Sequence, residues 1–190
     1  MNKTIIIILI IFILLCFLLY KLTFKNRTES KIRQFERTYS RNLDRRQKDY
    51  CSTIKNLDKR RLADYYVCSS HSSQLTGFLN YDYSSNTYLG KIINYGCRYI
   101  ELDIFSKDPR NSSEPVVSSG NKSYDGQNFI FCKDVFRLIA KTVFSKNKVD
   151  NFKDPFFIYL NCKTNNINVM NRLNDIIKET IGNKLILEPF

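Results

Sequence analysis

The chain has 190 residues, with 30 Lys+Arg against 18 Asp+Glu, a formal net charge of +12, six Cys and a single His. That length allows one folded domain and little more, and 43 % apolar with 25 % charged residues excludes wholesale disorder. One His excludes a multi-histidine metal site and any mechanism that draws two histidines from this chain, and six Cys without a CxxC pair argue against a zinc ribbon.

The excess charge sits in one place. Between Lys21 and Arg61 there are 14 basic and 5 acidic residues, whereas 62–190 is nearly balanced. The body of the chain therefore gives no electrostatic case for nucleic-acid binding.

Ile5 to Tyr20 reads IIIILIIFILLCFLLY, with no charge, Gly or Pro. It falls slightly short of the ~20 residues that span a bilayer. Thr4 and Leu22 to Phe24 extend it, and Lys3 and Lys21 can snorkel. Leu18, Leu19, Tyr20 and Lys21 offer no small-residue cleavage site, so a single-pass anchor over 1–24 is favoured over a signal peptide. The run has no polar face, which argues against a buried core helix. Lys21, Lys25, Arg27, Lys31 and Arg33 follow it, and the positive-inside rule then places the bulk of the chain on the cytosolic side. Sequons at Asn26, Asn111 and Asn121 point the other way but are expected by chance in an Asn-rich chain.

Residues 25–61 form a basic juxtamembrane segment. Between Glu29 and Arg61 there is no Gly or Pro. Ile32, Phe35, Tyr39, Leu43, Tyr50, Ile54 and Leu57 recur at helical spacing. Arg33, Arg37, Arg41, Arg45 and Arg46 fall mostly elsewhere on that helix. Two readings stand level: a helix drawn to anionic headgroups, or a solvated helix whose apolar stripe packs on its own domain. A stalk coiled coil is weaker, because the heptad is irregular.

Residues 62–190 read as alternating strands and helices. Asp64 to Ser70 predicts a strand and Tyr88 to Tyr95 a short helix. Arg98 to Phe105 (RYIELDIF) predicts a strong strand, and Pro115 to Ser118 a short one. Phe131 to Phe144 carries a helical stripe at Phe131, Val135, Leu138, Ile139 and Val143. Pro155 to Leu160 predicts a buried strand, Val169 to Ile181 a helix capped by Gly182, and Lys184 to Leu187 the start of another strand. Alternation of this kind implies a parallel sheet and an α/β fold. Cys68, Cys97, Cys132 and Cys162 fall on or beside these elements and act there as small hydrophobes. Cys16 lies in the anchor. In the cytosol all would stay reduced.

In such folds chemistry gathers at the C-terminal ends of strands. His71 directly follows the first strand. Glu101 and Asp103, two apart in a strand, project from one face, while Ile100, Leu102 and Ile104 face the other way. Two carboxylates inside a sheet need a partner. A hard cation such as Ca²⁺ would serve, and so would a salt bridge to Arg98 or a nearby Lys. His71 by itself reads more readily as a hydrogen-bonded structural residue than as a catalyst.

Local context resolves more. SSHSSQLTG (Ser69 to Gly77), after Tyr65 and Tyr66, resembles the first box of the phosphatidylinositol-specific phospholipase C X domain, close to YY-x-x-SSHNTYLTG. GCRYIELDIF (Gly96 to Phe105) resembles the GCR-x-x-ELD-x-W box of that family, and PVVSSG (Pro115 to Gly120) its P-V-V-x-HG box. FCKDVFRLIAKTVF followed by PFFIYLNC resembles its next helix and strand. The four boxes run in order over about residues 62–190.

The resemblance implies a distorted (β/α)₈ barrel of two halves that cleaves inositol phospholipids. One His steadies the phosphoryl oxygens, a second acts as general acid and then base, and Ca²⁺ activates the inositol 2-hydroxyl. Carried over, His71 falls on the first His, and Glu101 and Asp103 fall on two Ca²⁺ ligands. Ser72 stands where an Asn ligand is expected, Asn161 where a second Glu is expected, and Ser119 where the second His is expected. Ser has no useful acid–base pKa near neutrality, and a general acid is typically worth ~10²–10⁴-fold. Residues 62–190 are also about half the ~250 residues of such a barrel, and LILEPF falls about where the first half ends. A second copy or a partner would have to cover the open sheet edge.

The expectation is thus an α/β chain: half of a (β/α)₈ TIM-type barrel, preceded by a transmembrane helix and a basic amphipathic helix. Three functions compete. One is a weakly active Ca²⁺-dependent phosphodiesterase. Another is a membrane pseudoenzyme binding anionic or inositol-phospholipid headgroups through Arg33 to Arg61, or binding a partner. The third is a decayed product without a folded function. The second ranks first.

Overall fold

A computed structural model describes residues 3–50, 61–64, 66–79, 81–108, 113–120 and 126–186, with backbone alone at 4, 24, 25 and 40–50. Helix α1 runs unbroken over Lys3–Tyr50. Strand β1 (Ser69–Ser70), helix α2 (Asn86–Asn94), strand β2 (Tyr99–Ser106), strand β3 (Pro115–Ser118), strand β4 (Ile130–Phe131), helix α3 (Cys132–Thr142), strand β5 (Phe157–Cys162) and helix α4 (Ile167–Ile181) follow. Ser85 caps α2 by accepting from the Tyr88 amide at 3.3 Å, and Asn166 caps α4 at 3.0 Å.

β2 is the central strand. It pairs with β5 in parallel from Tyr99↔Phe157 to Ile104↔Cys162. Its other edge takes β1 in parallel at Ser69↔Tyr99 and Ser70↔Ile100, then β3 antiparallel from Asp103↔Ser118 to Ser106↔Pro115. β4 continues antiparallel from β3. The sheet is therefore mixed, which corrects the expectation of an all-parallel one. Residues 107–114 are too few for a crossover, which needs about a dozen residues, so the chain returns as a hairpin.

Period-two alternation in β2 sorts the sheet into two faces. Ile100, Leu102 and Ile104 are fully buried, in one cluster with Leu89 and Ile93 of α2, Val135, Phe136 and Ile139 of α3, and Leu173 and Ile176 of α4. Burying an aliphatic or aromatic side chain of this size is worth ~1.5–3 kcal/mol. Glu101, Asp103 and Phe105 face the other way, and so do Tyr159 and Asn161 of β5. The GCR residues support this core. Gly96 turns with φ +90°, Cys97 is buried, and Arg98 donates to the Val143 carbonyl at 3.2 Å and to Asn151 Oδ1 at 2.8 Å. Arg98 thus braces the α3–β5 connection and does not pair with Glu101 or Asp103.

Three expectations at the ends change. Among the described residues of Asp64 to Ser70, only Ser69 and Ser70 pair as a strand. Leu62–Asp64 is a 3₁₀ turn and Tyr66 is fully exposed, so no surface rewards an extended chain there. Gly182–Lys184 is a 3₁₀ turn and not the start of a strand, and 187–190 lie outside the described residues. Cys97 and Cys132 are buried as expected, but Cys68 and Cys162 are exposed.

α1 has two characters. Among the described residues it is the one helix long and apolar enough to cross a membrane, and its apolar side chains from Ile5 to Tyr20 are exposed all round. Beyond them it packs on the domain. Phe35 meets Tyr88 and Tyr95 edge-on, at centroid distances of 5.1 and 5.4 Å, and Glu36 pairs with Lys91 at 2.5 Å. Aromatic pairs of this kind are worth ~0.5–1.5 kcal/mol each beyond burial. The self-packing reading of the stripe thus holds at Phe35 and its neighbours. Ile54 and Leu57 lie outside the described residues, as do the side chains of Leu43 and Tyr50.

Candidate active site

Strand register assembles the site. Pairing of Ser70 with Ile100 sets His71 beside Glu101. Pairing of Asp103 with both Ser118 and Asn161 brings the ends of β3 and β5 to the same carboxylate. The result is a cleft of about 470 Å³ that holds His71, Ser72, Glu101, Asp103, Ser119 and Asn161 together. Six positions spread over 91 residues of sequence become neighbours because β2 carries a partner on each edge.

His71 Nδ1 lies 2.6 Å from Glu101 Oε2. A carboxylate can only accept, so the proton sits on Nδ1 and Nε2 is the ring atom turned away from Glu101. His71 is 81 % exposed and Glu101 17 %. The loop that carries His71 is sewn to β2: Ser73 N donates to the Glu101 carbonyl at 3.0 Å, and Glu101 N donates to Ser73 Oγ at 3.1 Å. Ser72 adopts φ +45°, a left-handed conformation that Asn tolerates better than Ser.

Asp103 is buried, and Asn161 Nδ2 donates to its Oδ1 at 2.7 Å. Burial raises the Asp103 carboxyl above its ordinary 3.8, and Glu101 adds to the rise. The Asn161 hydrogen bond and the charges of Lys163 and His71 oppose it without cancelling it. Asn161 therefore presents its amide hydrogens, not its carbonyl, to this carboxylate.

Ser119 is 2 % exposed. Gln74 Nε2 donates to its hydroxyl at 3.2 Å and to the Ser118 carbonyl at 2.7 Å. Gln74 occupies the position of Tyr in the family box, so two departures from the pattern bond to each other. Gln74 Oε1 is buried without a partner among the described residues.

Sequence reasoning missed Gln74 and Lys163. Lys163 lies two residues after Asn161, on the same face of the chain leaving β5, and lines the cleft. Alternation alone could have found it. Leu75, Gly77, Phe78 and Leu79 form the lip. Of the basic residues expected on a lipid surface, Arg33 and Arg37 are exposed, and Arg33 lies 3.6 Å from Glu29. The side chains of Arg41, Arg45 and Arg46 lie outside the description, as do Asn111 and Asn121.

Comparison with known proteins gives a consistent answer. Residues 59–190 match the family model "Phosphatidylinositol-specific phospholipase C, X domain". The chain is 30 % identical over 130 residues to 1-phosphatidylinositol 4,5-bisphosphate phosphodiesterase beta egl-8 of Caenorhabditis elegans, covering 68 % of this chain and 8 % of that protein. It is 33 % identical over 87 residues to the eta-1 phosphodiesterase of Mus musculus, covering 46 % of this chain and 5 % of the relative. The crystal structure of S. officinalis PLC21 matches with a TM-score of 0.54 at 25 % identity, over 69 % of this chain and 15 % of that one. L. pealei PLC21 gives the same TM-score at 24 % identity. The chain thus spans less than a tenth of the curated relatives it matches.

Proposed function

Since the chain belongs to the phosphatidylinositol-specific phospholipase C X-domain family, we propose that it is a membrane-anchored member whose cleft binds inositol-phospholipid headgroups with phosphodiesterase chemistry impaired. One observation carries this reading. Ser119, where the family has its second His, is buried and accepts a hydrogen bond from Gln74, so a hydroxyl and not an imidazole stands at the position of the family's general acid. His71 is the one imidazole in the chain.

The donor set does not suit Ca²⁺. That ion takes 6–8 oxygens, several of them carboxylate. Among the described residues the cleft offers two carboxylates, Glu101 already paired with His71 and Asp103 with the Asn161 amide. No group of three His, Cys, Asp or Glu able to hold a metal exists among the described residues. Ser72 adds only a hydroxyl. Lys163 supplies positive charge where the family relies on a cation, and its ammonium can donate to a phosphate oxygen.

The apolar, exposed run from Ile5 to Tyr20 supports anchoring, and the basic residues after it support a cytosolic domain. A barrel completed by a second copy or a partner remains part of this proposal. The His71–Glu101 pair favours a second reading, residual activity, because a carboxylate-oriented imidazole is a competent base.

The test is inositol-phosphate release from phosphatidylinositol vesicles by the full chain, with Ca²⁺ and with chelator, beside His71→Ala. No release from folded, vesicle-bound protein is expected. Release that disappears with His71→Ala would establish the second reading instead.

A further inference from the structure

The lip of the cleft is tied to α1. Arg27 Nε donates to Asp82 Oδ1 at 2.8 Å, and Lys31 Nζ lies 4.0 Å from Oδ2. The Asp82 side chain is fully buried and also accepts from the Phe78 amide at 2.7 Å. A buried carboxylate left without a partner is strongly disfavoured, so the pair is a structural commitment and not a surface contact. Gly77 leaves room for it, because a Cβ there would come within 2.3 Å of Asp82 Oδ2, so any side chain would push the carboxylate aside. Around this tie the loop exposes Phe78 (72 %), Leu79 (37 %) and Tyr81 (64 %). Lys31 sits over the Phe78 ring at 5.7 Å and Arg27 over the Tyr81 ring at 6.0 Å. Aromatic and basic side chains together are the composition of a membrane interface.

The position along α1 selects the occupant. If the span covers residues 4–24, as proposed above, it is ~30 Å long at 1.5 Å per residue, the thickness of the hydrocarbon core. Arg27 then lies ~5 Å beyond the hydrocarbon, inside a headgroup layer of roughly 5–8 Å per side. We infer that the Arg27–Asp82 pair docks the lip of the cleft on the membrane-proximal turns of α1, holding Phe78, Leu79 and Tyr81 in the headgroup layer of the bilayer that α1 crosses. The cleft then meets lipids of its own membrane and not those of a facing one. This rests on the anchored reading but adds to it, since an anchor by itself leaves the cleft free to point anywhere.

The chain has no Trp, so a single introduced one reports alone. Full-length Phe78→Trp, Phe12→Trp and Tyr66→Trp are each inserted in phosphatidylcholine–phosphatidylinositol vesicles, with and without lipid brominated near the carbonyl end of its acyl chains, or near the methyl end for the tryptophan at 12, which lies close to the bilayer centre. Tryptophan at 78 is expected to be blue-shifted and quenched, that at 12 quenched, and that at 66 water-exposed and unquenched. Adding Arg27→Glu, which sets a carboxylate against Asp82, is expected to abolish quenching at 78 and leave it at 12. An unquenched 78 beside a quenched 12 overturns the docking, whether 78 proves wet or covered by another protein surface. Quenching at 78 that survives Arg27→Glu overturns the role of the pair. An unquenched 12 overturns the anchor, and the docking with it.

Discussion

The Gln74 amide donates to the Ser119 hydroxyl at 3.2 Å, so the residue that replaces the family's second His is bonded to the residue that replaces its Tyr. Both are buried, and Ser119 lines the cleft. Restoring one without the other therefore inserts a ring where the amide lies. Ser119→His is expected to lower stability by about 1–3 kcal/mol through overpacking, with no gain in inositol-phosphate release. Combined with Gln74→Ala, which vacates the space, it is expected to destabilise by less than the two single changes added together. Thermal unfolding of the four proteins measures this coupling. A Ser119→His protein as stable as the parent, and active, would show that the Gln74 bond is not what excludes the imidazole.

Asn161 offers a gain-of-function test of the metal argument. Its amide now neutralises nothing, and it spends a hydrogen bond on Asp103. Asn161→Glu would place a third carboxylate beside Glu101 and Asp103. Calorimetry is expected to give no Ca²⁺ binding to the parent at millimolar concentration. The variant is expected to bind in the range of weak sites, ~10⁻⁴–10⁻³ M. Millimolar-or-better binding by the parent would restore Ca²⁺ to the cleft.

The two buried carboxylates make opposite pH contributions. Burial would raise the Asp82 carboxyl, but the Arg27 and Phe78 hydrogen bonds and the charges of Arg27 and Lys31 outweigh it and hold it below the ordinary 3.8. Its stabilisation is complete above that value and is lost as pH falls through the lower folded one. Asp103 is held above 3.8, mainly by burial. It carries no penalty below 3.8 and an increasing one as pH rises through its folded value. Asp103→Asn removes that penalty and keeps an acceptor for Asn161. It is expected to raise the midpoint of thermal unfolding near pH 7, with no gain at about pH 3. An equal gain at both pH values would assign the effect to packing.

Much of this was legible in the sequence because it is local. β2 declared itself through alternation, and Ile100, Leu102 and Ile104 are buried as that alternation requires. The antiparallel return of β3 could have been read from the short 107–114 connection, but strand–helix alternation elsewhere concealed it. The docking of α1 was not legible. Phe35 finds Tyr88 and Tyr95, and Arg27 finds Asp82, across more than 50 residues of chain. An amphipathic stripe states that it needs a partner without saying which one. The cleft lies between these cases. Its six family positions follow from the boxes, whereas Gln74 and Lys163 needed the register that sets their neighbours.

Lys163 carries the last prediction. Of the basic side chains that line the cleft, Lys163 is the one ammonium, and its charge acts on Asp103. A bound phosphate must overcome the repulsion of the two carboxylates, so the ammonium decides whether the anion binds. Lys163 is exposed, and its pairing with a phosphate belongs near the watery end of the Coulomb scale, ~1 kcal/mol at 4 Å. Lys163→Gln is then expected to weaken inorganic phosphate binding roughly five- to tenfold. Lys163→Arg should retain most of it, and Lys146→Gln, an exposed change outside the cleft, should leave it unaltered. Affinity should fall with added salt in the parent and respond less in Lys163→Gln. Titration of the full chain in chelator, followed by phosphorus NMR, measures all four proteins without reference to turnover. Equal affinities in the parent and Lys163→Gln would mean that phosphate binds without help from the ammonium, and would remove Lys163 from the binding site.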